Sequence, residues 1–161
     1  MAEILNNFFQ STFTDEDLEF ITDFPQWTLE QLPEISLTKQ SILNKLAKLD
    51  IAKASGPDGM HPCVLKNCAE SLVNPLYYLF QQSLNSGELP LEWKQANVTP
   101  IFKKGSRSQA SNYRPVSLTS QVVKILESIV KDSINEFVAN NQMLTPHQHG
   151  FCKGKYFLQI C

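Results

Sequence analysis

Lys103, Lys104, Arg107 and Arg114 stand within one stretch, "IFKKGSRSQASNYRPVSLTS" (101–120), and no acid occurs between Glu92 and Glu127. Ammonium and guanidinium groups held on a two-stranded ribbon are charge-assisted donors to phosphate, and the backbone N–H groups of a Gly/Ser-rich tip add to such a site. Arg114 precedes Pro115, which restricts its backbone, and reads as a rigidly held group at the base of the hairpin. The same lysines would equally protect an exposed hairpin edge against aggregation. Local chemistry leaves both readings open.

The other reactive side chains make no recognisable machinery. "GFCKGK" (150–155) has three residues between its glycines where a phosphate-binding loop needs four, and Tyr156 stands where the metal-binding Ser/Thr belongs. His147, His149, Cys152 and Cys161 match no zinc-finger spacing. The acids of the basic region, Asp50, Asp58, Glu70, Glu88, Glu92, Glu127, Asp132 and Glu136, form no Asp-x-Asp or Asp-Asp pair. Asp58 alone has a telling context, within the Gly/Pro-rich "KASGPDGMHP" (53–62), where an Asp side chain closes an Asx-type turn more readily than it binds a metal. Neither a catalytic nor a metal-binding residue is assigned from these patterns.

The elements that must position the cations follow from periodicity. Ile42, Leu43, Leu46 and Leu49 recur at helical spacing opposite Lys39, Lys45 and Lys48, predicting a helix over 38–49. Residues 64–68 and 71–86 predict two more, the second carrying Leu72, Leu76, Leu79, Phe80 and Leu84 on its apolar face. Pro75 is placed in its first turns, and Gly87 as a left-handed cap. Residues 97–102 and 113–118 alternate like strands around Pro100 and Pro115, which predicts an edge hairpin with a long polar tip. From Ser120 to Asn140, Val122, Ile125, Leu126, Ile129, Ile134, Phe137 and Val138 line one face of a long helix docked on a core.

The 161 residues suffice for one ordinary domain, 42% hydrophobic and without repeats or low-complexity tracts. Residues 1–37 hold eight acids and no Lys or Arg, whereas residues 38–161 hold all fourteen cations and the other eight acids. That partition fits a polyanionic partner for the basic part, or a solvated charged surface. No run is long enough for a membrane span, and no basic N-terminal leader precedes an apolar run. Four irregularly spaced cysteines form no disulfide framework, so an intracellular protein, cytoplasmic or nuclear, is expected.

Taken as a set, "KASGPDGMHPCVLK" (53–66), "SGELPLEWKQANVTPIFKKGSRSQASNYRPVSLTS" (86–120) and "QHGFCKGK" (148–155) resemble the reverse transcriptases of non-LTR retrotransposons of the jockey/chicken-repeat type. The resemblance implies an α+β, mostly helical fold: the fingers subdomain of a right-hand polymerase with one antiparallel β-hairpin. Residues 1–37 would be an acidic lead-in, and 38–161 a partial reverse transcriptase domain. One of Lys103 and Lys104, with Arg114, would contact the incoming deoxynucleoside triphosphate. Gly56, Pro57, Asp58, Gly59, Gln148, Gly150 and Phe151 would line the template path. Implied partners are an RNA template, a DNA primer and the palm and thumb, with the palm expected to be missing from this chain. The intact family enzyme would use two Mg²⁺ ions held by palm aspartates, so the chain alone is expected neither to bind those ions nor to polymerise. After Phe151 the sequence departs from the family pattern at Cys152 and through "YFLQIC". Two alternatives accompany this reading: a non-catalytic RNA- or single-strand-binding remnant, and a relic without selected function.

Overall fold

Each element begins or ends where its sequence supplies the missing hydrogen bonds. A computed structural model of the chain describes residues 2–13 and 30–144. Helix α1 (Ala2–Gln10) buries Leu5 and Phe9, four residues apart on one face. Helix α2 (Lys39–Ala47) opens on a capping box: the Thr38 hydroxyl accepts from the Ser41 amide at 3.0 Å while the Ser41 hydroxyl accepts from the Thr38 amide. Helix α3 (Pro62–Asn67) starts on Pro62 behind an N-cap His61, whose Nδ1 accepts from the Cys63 amide at 3.1 Å. Helix α4 (Ala69–Ser86) ends at Gly87 in the left-handed conformation (φ 69°) that the sequence predicts there.

A 3-10 turn (Leu91–Lys94) leads into β1 (Ala96–Phe102), which pairs antiparallel with β2 (Tyr113–Thr119). Helix α5 (Gln121–Asn140) follows at once, its N-cap Ser120 accepting from the Val122 amide at 3.1 Å. The described residues are therefore mixed, with helices outweighing a single two-stranded sheet, as the α+β expectation has it. None of the described helices is long and apolar enough to cross a membrane.

The core is interhelical. Ile42 and Leu46 of α2, Leu65 of α3, Val73, Leu76 and Phe80 of α4, and Val122, Ile125, Leu126 and Ile129 of α5 bury one another together with Leu37. Trp93 packs edge-on against Phe80, ring centroids 5.8 Å apart, and so ties the entry of β1 to this core.

Pro75 stands in the first two turns of α4, as expected, at the seventh position because the helix starts at Ala69 directly behind α3. Pro75 is exposed, and water can take the place of the missing bond there. Three other expectations need correction. On the same helix Leu79 faces solvent, whereas Val73 joins the core. Finally, α5 is buried only through Ile129; Ile134 is 42% exposed. At about 1.5 Å per residue the twenty-residue α5 far outruns the nine-residue α2 that it meets. Lys45, expected on the solvent side of α2, instead reaches α5 and pairs with Asp132.

Candidate nucleotide and nucleic-acid interface

The ribbon is built so that its two faces differ. Partners run from Ala96↔Thr119 to Phe102↔Tyr113, and the Lys103 amide extends the ladder by donating to the Asn112 carbonyl at 2.8 Å. Alternation from that bond makes Ile101↔Arg114 a hydrogen-bonded pair and Pro100↔Pro115 a non-bonded one. Both prolines therefore turn their N–H-less nitrogens outward, and the ladder between the strands loses nothing. Each outer edge of the ribbon is also blunted against a further strand.

Paired residues share a face and successive residues alternate. One face carries Val98, Pro100, Phe102, Tyr113 and Pro115. Leu5 and Phe9 of α1 border a cleft of about 260 Å³ with Val98 and Pro100, so α1 backs this face. Towards the tip, Phe102 and Tyr113 meet edge-on with centroids 5.4 Å apart, and the Arg107 guanidinium lies 5.2 Å from the Phe102 ring centre. The opposite face carries Thr99, Ile101, Lys103, Asn112, Arg114 and Val116. Lys103 and Arg114 are diagonal neighbours on it, a relation that brings long side chains within common reach. Lys104 stands beyond the last ladder bond, in the turn.

Arg114 is thus at the tip end of the ladder, not at the base of the hairpin as its proline neighbour suggested; the base is Ala96↔Thr119. Lys103, Lys104 and Arg114 are exposed, and none has an ion-pair partner among the described residues.

The long tip is braced. The Asn112 side chain donates to the Ser106 carbonyl at 2.8 Å, and the Tyr113 hydroxyl donates to the Arg107 carbonyl at 3.0 Å. Gly105 sits at φ 90°, and a Cβ there would lie 2.7 Å from the Asn112 amide nitrogen, so glycine fits on both counts. The sequence reading missed Asn112 and Tyr113; their position at the strand entry, just behind a Ser/Gly-rich stretch, was the available signal.

The Gly56–Gly59 turn lies at the other end of the ribbon. Pro57 and Asp58 form its corner, closed by the Gly59 amide on the Gly56 carbonyl at 3.1 Å, with Gly59 at φ 66°. As expected, Asp58 closes an Asx turn: its Oδ1 accepts from the Met60 amide at 3.2 Å. Its Oδ2 accepts from the Ser120 hydroxyl at 2.5 Å. Next to it the Gln121 side chain donates to the Ala54 carbonyl at 2.8 Å. Gly56 is pressed so closely on this junction that a Cβ would lie 2.5 Å from the Ser120 nitrogen. Ser120 and Gln121 were also missed, since their partners lie more than sixty residues away in the chain.

The structure therefore brings Lys103 and Arg114 together but sets the Gly56–Gly59 turn six residues of β2 away from Arg114, roughly 20 Å along a strand. Gln148, Gly150 and Phe151 lie outside the described residues. Among the described residues no group of three or more His, Cys, Asp or Glu could hold a metal ion.

No family model matches the chain. It is 25% identical over 147 residues, 91% of its length, to a probable RNA-directed DNA polymerase from transposon BS of Drosophila melanogaster. It is 27% identical over 121 residues, 74% of its length, to the RNA-directed DNA polymerase from mobile element jockey of the same organism. A retrovirus-related Pol polyprotein from type-1 retrotransposable element R1 of Bradysia coprophila is 24% identical over 121 residues, again 74% of the chain. The chain spans 16%, 13% and 12% of these relatives' own lengths. The resemblance to the reverse transcriptases of non-LTR retrotransposons is borne out by these three alignments.

Proposed function

We propose that the chain is the nucleotide- and template-contacting fingers part of an RNA-directed DNA polymerase of a non-LTR retrotransposon, with the β1–β2 hairpin as the lid over the incoming deoxynucleoside triphosphate. The ladder register carries this reading, because it sets Lys103 and Arg114 on one face and neither is ion-paired among the described residues. Phosphoryl transfer depends on holding the triphosphate in place and balancing its charge. Lys103 supplies a mobile point charge and Arg114 a planar fork that matches two phosphate oxygens. The register favours Lys103 over Lys104 as the partner of Arg114. At the template side Gly56 is buried and both Asp58 oxygens are engaged, which leaves exposed Pro57 and Gly59 to meet a template.

Two Mg²⁺ ions belong to the intact enzyme by resemblance, and no cluster of three or more His, Cys, Asp or Glu among the described residues fits them. The chain is accordingly proposed to bind nucleotide without polymerising. Titration with deoxythymidine triphosphate should show binding that Lys103→Ala/Arg114→Ala weakens at least tenfold, as expected for charged contacts of about 1.5–3 kcal/mol. Undiminished binding by the double variant overturns the lid reading, and primer extension by the chain alone overturns the non-polymerising one.

The charge pattern favours one further reading, a single-strand RNA-binding remnant. Lys94, Lys103, Lys104, Arg107, Arg114 and Lys124 make no ion pair among the described residues. Binding of an oligonucleotide that falls steeply with salt, and falls again in Lys103→Ala/Lys104→Ala/Arg114→Ala, without triphosphate binding, would select it.

A further inference from the structure

We infer that Asp58 and Ser120 are positioning residues of the hairpin, forming a polar latch that fixes the angle at which the cation-bearing ribbon leaves the helical body. The geometry stands by itself, while its consequence for nucleotide binding rests on the lid reading. A two-stranded ribbon has no third strand to hold it, and α1 packs on the ribbon and its tip, so the angle between ribbon and helical core is set where the two join. On the β1 side that join is apolar, Trp93 against Phe80. On the β2 side it is one residue, Ser120, fully buried between the last residue of β2 and the first of α5. Its hydroxyl donates to Asp58 and accepts from the Val122 amide, so both of its roles are filled. Gly56 allows the turn to approach closely enough for this bond, and Gln121 adds a second one to the Ala54 carbonyl. A carboxylate acceptor makes the Ser120 bond charge-assisted, about twice as strong as a neutral one.

The length of the ribbon turns this junction into a lever. Arg114 is six residues from Ser120, roughly 20 Å at the rise of a strand, so a tilt of about 10° at the base moves it by roughly 3 Å. In reactions that depend on preorganised geometry a misplacement of about 1 Å can cost about 100-fold. The latch therefore sets the pose of Lys103 and Arg114 without touching their ligand.

Hydrogen exchange on the full 161-residue chain tests this directly, with Ser120→Ala and Asp58→Ala as the variants. Ser120→Ala removes both the latch and the N-cap of α5; Asp58→Ala removes the latch together with the Asx-turn bond from Met60 and leaves the cap in place. Each should speed exchange of the β1 and β2 amides by roughly tenfold or more, with α2 and α4 unchanged. The double variant should exchange no faster in β2 than the faster single one, because both act on the same bond. Unchanged hairpin exchange in Asp58→Ala, or acceleration spread equally over α2 and α4, overturns the latch. Deoxythymidine triphosphate affinity measured on the same samples separates the two claims. Loss of affinity in both variants at unchanged α2 and α4 protection supports a positioning role. Full affinity with a loosened hairpin overturns that role, and no binding by the unaltered chain overturns the lid reading while the exchange result still decides the latch.

Discussion

Under the proposed lid role Arg114 and Lys103 would hold phosphate in different ways, and single substitutions distinguish them. A guanidinium offers two parallel donors in a fixed plane; an ammonium offers a point charge on a mobile stem. Arg114→Lys keeps the charge and loses the fork, so triphosphate affinity is expected to fall several-fold, whereas Lys103→Arg should leave it within about twofold. Calorimetric titration of both variants checks this, and equal losses would argue for a diffuse charge effect. Gly56 makes a second case at this scale. A methyl group at residue 56 meets the backbone of Thr119 and Ser120 at 2.5–2.7 Å, and backbone cannot rotate aside. Gly56→Ala should cost about 1–3 kcal/mol in a denaturant melt, and Gly59→Ala a smaller strain cost from its positive φ with open space around it. The Asx turn of Asp58 was legible in the sequence because its partner is two residues away. Ser120 was not, because nothing local marks a serine between a strand and a helix as the second partner of that same carboxylate.

Elements whose signals are local came through well. The hairpin, the helix over 38–49 and the Gly87 cap each follow from a few neighbouring residues, and the structure has them with ends shifted by one or two positions. Where a neighbour in space decides, the sequence was silent. The start of α4 moved back to Ala69 because α3 and α4 are nearly continuous. By contrast Arg114, second in the strand that leaves the turn, stands at the tip, as the strand bounds alone already required. The paired prolines carry the prediction for this scale. Pro100 and Pro115 remove an N–H from each outer edge of the ribbon at the same level. Pro100→Val/Pro115→Thr restores both donors and keeps strand-forming side chains, so the variant should associate at concentrations where the parent elutes as a single species in size-exclusion chromatography. An elution volume independent of concentration for both would show that the edges are protected by other means. The tip adds a local test: Asn112→Ala removes the bonds to Ser106 and Gln109 and should speed tryptic cleavage after Lys104 and Arg107 several-fold.

At the scale of the molecule, α5 divides the chain into a packed half and a projecting one. Its first three turns are buried against α2, α3 and α4, whereas beyond Ile129 the same apolar stripe runs on past its partners. Helical periodicity reports that a face is apolar; it does not report how far the covering elements extend, so Ile134 and Ile125 looked alike in sequence. The structure separates them into 42% and 2% exposed. If burial rather than apolar character sets the contribution, Ile125→Ala should cost about 2–5 kcal/mol and Ile134→Ala less than about 1 kcal/mol. Phe80→Ala, which empties the fully buried centre and strips Trp93 of its ring partner, should cost about 3–5 kcal/mol. Against a total stability of about 5–15 kcal/mol for a small domain, that is enough to lower the thermal midpoint markedly or to abolish a cooperative transition. Thermal melts of the unaltered chain and these three variants decide the matter together. A single cooperative transition in the unaltered chain, lowered by Phe80→Ala and Ile125→Ala but scarcely by Ile134→Ala, identifies a folded body that can carry the hairpin on its own. A gradual, non-cooperative loss of structure in the unaltered chain would instead return it to a relic without a stable fold, and the hairpin would have no body to be latched to.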